Sequence, residues 1–181
     1  SAYDWFYVGS IGWSQYSLTA GKVFGTLPFL LLEIHPGNET FFFYTHAFNR
    51  MNDYEFISDA YTSLAYTHHF DGFFFNRVPL LRKLKLRSVV SGKMLVGSLS
   101  DNNLQANTDP NGVYQSFQNL HNEWGMPDWK LQTPSITEPY VEVAVGVENI
   151  LKLFRVDAIW RLNYNDKPGQ VGIRTGMELL F

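Results

Sequence analysis

"RVDAIWRLNY", Arg155 to Tyr164, alternates without a break. Val156, Ala158, Trp160, Leu162 and Tyr164 share one face of an extended chain; Arg155, Asp157, Ile159, Arg161 and Asn163 share the other. A strand buried in a soluble sandwich rarely holds two arginines and an aspartate on one face. Two settings accommodate it. The charged face is open to bulk water, or it lines a watery interior while the apolar face meets something other than water. The neighbouring strands decide between them.

On the N-terminal side, "PYVEVAVGV" (Pro139 to Val147) sets Val141, Val143, Val145 and Val147 opposite Tyr140, Glu142, Ala144 and Gly146. On the C-terminal side, beyond the turn residues "NDKPG" (Asn165 to Gly169), the chain runs from Val171 to Phe181. Val171, Ile173, Thr175, Met177, Leu179 and Phe181 oppose Gly172, Arg174, Gly176, Glu178 and Leu180 there. Three consecutive strands thus carry an apolar face against a charged or small-residue one. Such repetition is expected of a barrel in lipid, whose strands alternate between membrane and lumen. Val141, Val143, Val145, Val156, Ala158, Trp160, Leu162, Ile173 and Met177 are expected to face lipid. The expected fold class is all-β: an antiparallel transmembrane β-barrel, or the C-terminal strands of a larger one.

Charge then sets the expected register. Glu142, Glu148, Arg155, Arg161 and Glu178 form a ladder on the lumen face. Antiparallel pairing of Glu148 with Arg155 also places Glu142 opposite Arg161. Arg155 is expected opposite Glu178, because the alternative opposes Arg161 to Arg174 and Asp157 to Glu178, and like charges directly opposite are destabilising.

Composition agrees. Of 181 residues, 17% are charged, below the roughly 25% typical of soluble domains, and 17% are aromatic. A mean hydropathy of -0.15 is compatible with alternating strands, and no apolar run reaches the roughly 20 residues of a spanning helix. A net charge of -3 without a broad basic excess argues against nucleic acid as a partner. There is no cysteine, hence no disulfide or thiolate chemistry. The chain opens at Ser1 without an export signal, so it is expected to be a mature protein or a piece of a longer one.

Tyr16–Gly25, Glu55–His69 and Ser88–Leu99 read as further strands, with Asp4–Ile11 and Glu39–Tyr44 as possible additions. Six strands, or eight with the additions, stand against the minimum of eight for closure. Since open edges do not sit in lipid, either the additions are real or the chain belongs to a larger barrel. The polar stretch 101–138 is too long for an ordinary connection and is expected as an extracellular loop. "GTLPFLLLEIHPGNETFFFY" (Gly25 to Tyr44) is too apolar for an exposed loop and too interrupted by Pro28, Pro36 and Gly37 for a strand. It is expected to fold back against the barrel, burying Phe29 to Leu32.

The last eight residues, "RTGMELLF", fit the recognition signal of outer-membrane barrels in Arg174, Gly176, Leu179 and Phe181. The stretches "GKVFGTLPFLLLEIHPGNET", "HHFDGFFFNRVPLLRKLKLR", "SGKMLVGSLS" and "GVENILKLFRVDAIWRLNY" resemble the C-terminal part of a family of Bacteroidota outer-membrane proteins of unknown function. In that family a carboxypeptidase-regulatory-like sandwich precedes the barrel. The resemblance implies that residues 1–181 are a barrel fragment of a longer chain. The last two strands are more loosely similar to BamA-type assembly barrels, without their Arg-Gly-Phe loop motif. The implied role is structural, export-related or assembly-related in the outer membrane, without catalysis or cofactor. Implied partners are outer-membrane lipid, the barrel-assembly machinery during biogenesis, and other chains or strands of the same barrel.

Two other function classes follow from the residues. "HNEWGMPDW" places His121, Glu123 and Asp128 in the 101–138 loop, where an outer-membrane enzyme would carry catalytic groups. A soluble β-barrel binding a small apolar ligand inside is the third. No metal ligand set is expected: His68 and His69 are adjacent and face opposite ways, while His35, His46 and His121 lie in loops without ligand spacing. Arg77, Arg82, Lys83, Lys85 and Arg87 follow or flank Pro79 in an expected short helix. They read either as a solvated connector or as an anchor on anionic head groups.

Overall fold

The structure, a computed structural model, describes residues 1–108, 110, 133–164 and 171–177. Seven strands form one antiparallel sheet: β1 (Ala2–Tyr7), β2 (Trp13–Lys22), β5 (Ala60–His69), β6 (Arg87–Ser98), β7 (Tyr140–Ile150), β8 (Phe154–Arg161) and β9 (Val171–Met177). The two missing numbers belong to β3 (Glu33–Ile34) and β4 (Ile57–Ser58), a small antiparallel pair inserted between β2 and β5. Spatial order otherwise follows chain order, so the sheet is a meander. β1 and β9 are its two edges and do not pair with each other. The all-β, antiparallel class is as expected; the described strands form an open sheet.

Connections differ sharply between the two ends. Residues 8–12, 70–86 and 151–153 turn the chain at one end; 23–59, 99–139 and 162–170 turn it at the other. The first may be called the short-turn end, the second the long-loop end. Among the described residues two α-helices sit in these connections: α1 (Pro79–Arg82) at the short-turn end and α2 (Asp101–Ala106) at the other. Pro79 at the first helical position starts α1, where its missing N–H costs nothing.

The expected alternation holds in β7, β8 and β9, whereas β1 is exposed along its whole length. On β7, Tyr140, Glu142, Ala144, Gly146 and Glu148 are buried, and Val145 between them is 52% exposed. On β8, Arg155, Asp157, Ile159 and Arg161 are buried while Val156 and Trp160 are exposed. On β9, Arg174 is buried while Ile173 and Met177 are exposed by 65% and 71%. The same apolar face continues across β6, β5 and β2 through Val90, Met94, Leu64, Tyr66 and Leu18. Among the described residues, buried polar and charged side chains outnumber buried apolar ones two to one. Soluble domains distribute their residues the other way.

Several expectations are corrected. Of the two possible strands, the first is real, as β1, but Glu39–Tyr44 is not. It meets β9 through a single parallel bridge, Phe42 to Thr175. Asn38 accepts hydrogen bonds from the backbone N–H and hydroxyl of Thr40, turning the chain before a strand can form. The expected Glu55–His69 strand is broken at Asp59, with Ile57–Ser58 turned away to pair with β3. The Gly25–Tyr44 stretch does fold back, and Leu32 is buried, but Leu30 and Leu31 are exposed. Most of the 101–138 loop, His121, Glu123 and Asp128 included, lies outside the described residues.

Candidate functional site

The buried face of the sheet does not look into empty space. Residues 23–59 enter from the long-loop end and lie across it, and the strand charges hold them there. Arg161 grips Glu55 with both ends of its guanidinium, Nη2 to Oε1 at 2.7 Å and Nη1 to Oε2 at 3.0 Å. Such two-pronged pairs fix orientation as well as position. Glu142 accepts the backbone N–H groups of Asn49 and Arg50, each at 2.9 Å. Lys93 donates to the carbonyls of Tyr44 and Ala47, at 2.9 and 2.5 Å, and stands 4.0 Å from Glu142. Arg174 reaches the carbonyl of Asn38 at 3.1 Å. Four strands thus each contribute one charge to the inserted segment.

The segment is internally braced to receive them. The Asn49 side chain accepts from the Tyr44 N–H and the Asn38 amide, and donates back to the Tyr44 carbonyl. Glu55 also accepts from the backbone and side chain of Asn52. A small apolar cluster of Phe48, Met51, Phe56, Leu95 and Tyr140 fills the space between segment and sheet. Deeper toward the short-turn end, the Phe43 ring lies under the Arg155 guanidinium at 4.1 Å and within 5.2 Å of Lys93. At the long-loop end, α2 clamps the segment's start. Asn103 and Asn107, both buried, bond the backbone of Leu27 from both sides, and Asn107 also accepts the N–H of Phe29.

His35 is part of this packing. Its Nε2 is 2.6 Å from the Ser58 hydroxyl, and its ring meets Tyr61 edge-on. Burial disfavours the charged imidazolium and lowers its pKa to about 4. His68 and His69 do point to opposite faces. His68 bonds Ser14, and His69 stacks on Trp13 with Nδ1 2.8 Å from Glu148.

The charge ladder is realised in part. Glu142 lies opposite Arg161 as the register argument required, and the pairing holds through Val147 and Val156. There a bulge intervenes, with Asn149 at a positive φ of 62°, so the pairing of Glu148 with Arg155 is not formed. Glu148 instead takes His69. In the last hairpin Arg155 faces Gly176, and Asp157 faces Arg174, two residues from the expected register. The reason is local. Arg155 needs no partner across the hairpin, because it makes a two-pronged pair with Asp157 on its own strand at 2.7 and 2.8 Å. Gly146 makes room, since any side chain there would collide with the Asp157 carboxylate. Glu178, Leu179 and Phe181 lie outside the described residues; Arg174 and Gly176 are both on the buried face.

Fold and site together define an all-β protein built on one large antiparallel sheet, apolar outside and ionic within. The chain belongs to the family of unknown function DUF5686: the model of that family's C-terminal domain matches residues 1–103. No curated protein and no solved structure matches the chain. The matched span takes in β1 to β6, the whole inserted segment and Asn103; Asn107 and strands β7 to β9 lie beyond it.

Proposed function

We propose that this chain is the C-terminal portion of an outer-membrane β-barrel, with a structural, export or assembly-related role and no catalysis of its own. The observation that carries the reading is the inversion of the sheet: an apolar face running unbroken from β2 to β9, backed by a buried layer of ionic groups. A soluble monomer rarely exposes so extended a contiguous apolar surface to water. In lipid it is the required surface, and a charge placed there costs about 2–4 kcal/mol.

The end asymmetry supports an orientation within that reading. Barrels keep short turns on the periplasmic side and long loops outside, so the inserted segment would enter from the extracellular end and plug the lumen. The edges β1 and β9, the latter bridged only at Thr175, fit strands of a larger barrel, supplied by the rest of a longer chain or by other chains. Under this reading the longer chain carries a carboxypeptidase-regulatory-like sandwich ahead of the barrel, in a Bacteroidota outer membrane. Its partners are outer-membrane lipid and, during biogenesis, the assembly machinery that reads Arg174, Gly176, Leu179 and Phe181. The soluble ligand-binding alternative loses ground, because the inner face presents ions and backbone where an apolar ligand needs apolar walls.

The test is fractionation of the full-length protein after export in a Gram-negative host. It should sediment with the outer membrane, resist carbonate extraction and shift in mobility on heating. Recovery as a monodisperse species without detergent would refute the proposal.

A further inference from the structure

The basic cluster has a site-like geometry that the barrel reading does not use. At the short-turn end, residues 83–86 and the β7–β8 turn rise on either side of the outward sheet face. Between them lies a cleft of about 890 Å³. Its floor is Val145, Val156, Ala158 and Ile173, which are part of the apolar outer face itself, and its rim carries Lys83 and Lys152.

We propose that this cleft binds an anionic phospholipid, acyl chain along the floor and phosphate between Lys83 and Lys152. The inference rests on the membrane reading above. Charge complementarity selects the head group. Arg87 is already paired with Asp71 at 3.4 Å, and Arg77 lies over the Phe73 ring at 4.4 Å. Among the described residues, no carboxylate pairs with Lys83 or Lys152. The cleft's apolar floor selects a lipid over a soluble phosphate, since it is continuous with the surface that other acyl chains would cover. Leu84 and Leu151 stand out on the rim at 57% and 79% exposure, placed to enter the same acyl layer.

Backbone conformation supplies an independent sign that the rim is built. Lys85, Asn149, Leu151 and Lys152 all have positive φ, between 52° and 67°, a conformation non-glycine residues adopt at a cost. Asn149 locks the two sides together by donating to the Lys85 carbonyl at 2.7 Å. Leu151 and Lys152 line the cleft, and Lys85 and Asn149 are chain neighbours of lining residues, so the four fix the backbone of the two turns that carry Lys83 and Lys152.

The experiment is electron paramagnetic resonance of spin-labelled lipids with the full-length protein in phosphatidylcholine vesicles. Spin-labelled phosphatidylcholine should show a motionally restricted population at the barrel surface; its absence would overturn the membrane reading itself. Spin-labelled phosphatidylglycerol should associate more strongly, by about fivefold for each basic side chain engaged. The Lys83→Gln/Lys152→Gln double variant, changed only at the rim, should keep the phosphatidylcholine signal and lose the preference. Equal association of both lipids with the parent protein would overturn this inference while leaving the barrel standing. That is the result expected if the lysines serve an acidic protein partner instead.

Discussion

Removing the Glu142 carboxylate tests whether the inserted segment is held by the sheet or merely rests on it. Glu142 is 2% exposed and accepts two backbone N–H groups at 2.9 Å, from Asn49 and Arg50, and the Tyr140 hydroxyl at 3.2 Å. Glu142→Ala leaves both N–H groups buried without acceptors. At about 1–3 kcal/mol for each orphaned donor, the loss is about 2–6 kcal/mol. Glu142→Gln keeps one acceptor and turns an NH₂ toward the other N–H, so it should lose about half as much. Buried Lys93 also loses the carboxylate 4.0 Å away, keeping only its two carbonyl acceptors, so the loss should fall toward the upper end of that range. Guanidinium unfolding in detergent micelles, followed by tryptophan fluorescence, measures the stability. Hydrogen exchange at the amides of residues 49 and 50 localises it, and should accelerate while β8 stays protected. If Glu142→Ala lies within about 0.5 kcal/mol of the parent, the range of an unremarkable surface change, and leaves those amides slow, the anchoring argument fails.

His35 gives a pH dependence. Its pKa of about 4 in the fold lies below the ordinary 6.5, so below pH 6.5 the unfolded chain takes up a proton the fold refuses. Stability should therefore fall by about 3 kcal/mol as pH drops from 6.5 to 4, and His35→Gln should flatten that slope in the same unfolding assay. Cysteines replacing Val145 and Ala158, which face each other across β7 and β8, should cross-link on oxidation. Cysteines at Val143 and Ala158, offset by two residues, should not. On the barrel reading, Ala158→Arg should cost about 2–4 kcal/mol of folding stability in bilayers, measured by reversible urea unfolding. The same substitution should be nearly silent if that face meets water.

What the sequence disclosed follows from what alternation records. A strand's period of two shows which side is apolar, so the faces of β7, β8 and β9 were readable from their valines and arginines alone. The β7–β8 register agreed with the charge argument at Glu142 and Arg161, although their side chains do not pair: Arg161 takes Glu55, and Glu142 takes the Asn49 and Arg50 N–H groups. The β8–β9 register was misread because Arg155 is satisfied by Asp157 two residues away, which removes its vote on register. The inserted segment was legible only as something that folds back. Its anchors are mostly backbone N–H and carbonyl groups, which every sequence has and none advertises. One signal was available. Lys93, Glu142 and Arg161 on a buried face demand partners, and the strands could not supply them all.

The edges of the sheet bear on how the segment would sit within the proposed barrel. Among the described residues β1 has no strand on its outer side, whereas β9 is bridged there. Phe43 donates to the Thr175 carbonyl at 2.7 Å, and Thr175 donates to the Phe41 carbonyl at 2.9 Å. Under the proposed reading both edges must accept strands, because no unpaired backbone survives in hydrocarbon. The bridge at Thr175 would then give way to a strand. Only two backbone bonds exchange, each replaced by its equivalent, so the net change is small against the roughly 0.5–1.5 kcal/mol each bond contributes. The inserted segment does not depend on them. Glu55 on Arg161, Asn49 and Arg50 on Glu142, and Tyr44 and Ala47 on Lys93 all attach to strands inside the sheet. On that reading the segment stays seated while the edge changes partner, and β9 would be free to join a barrel around it.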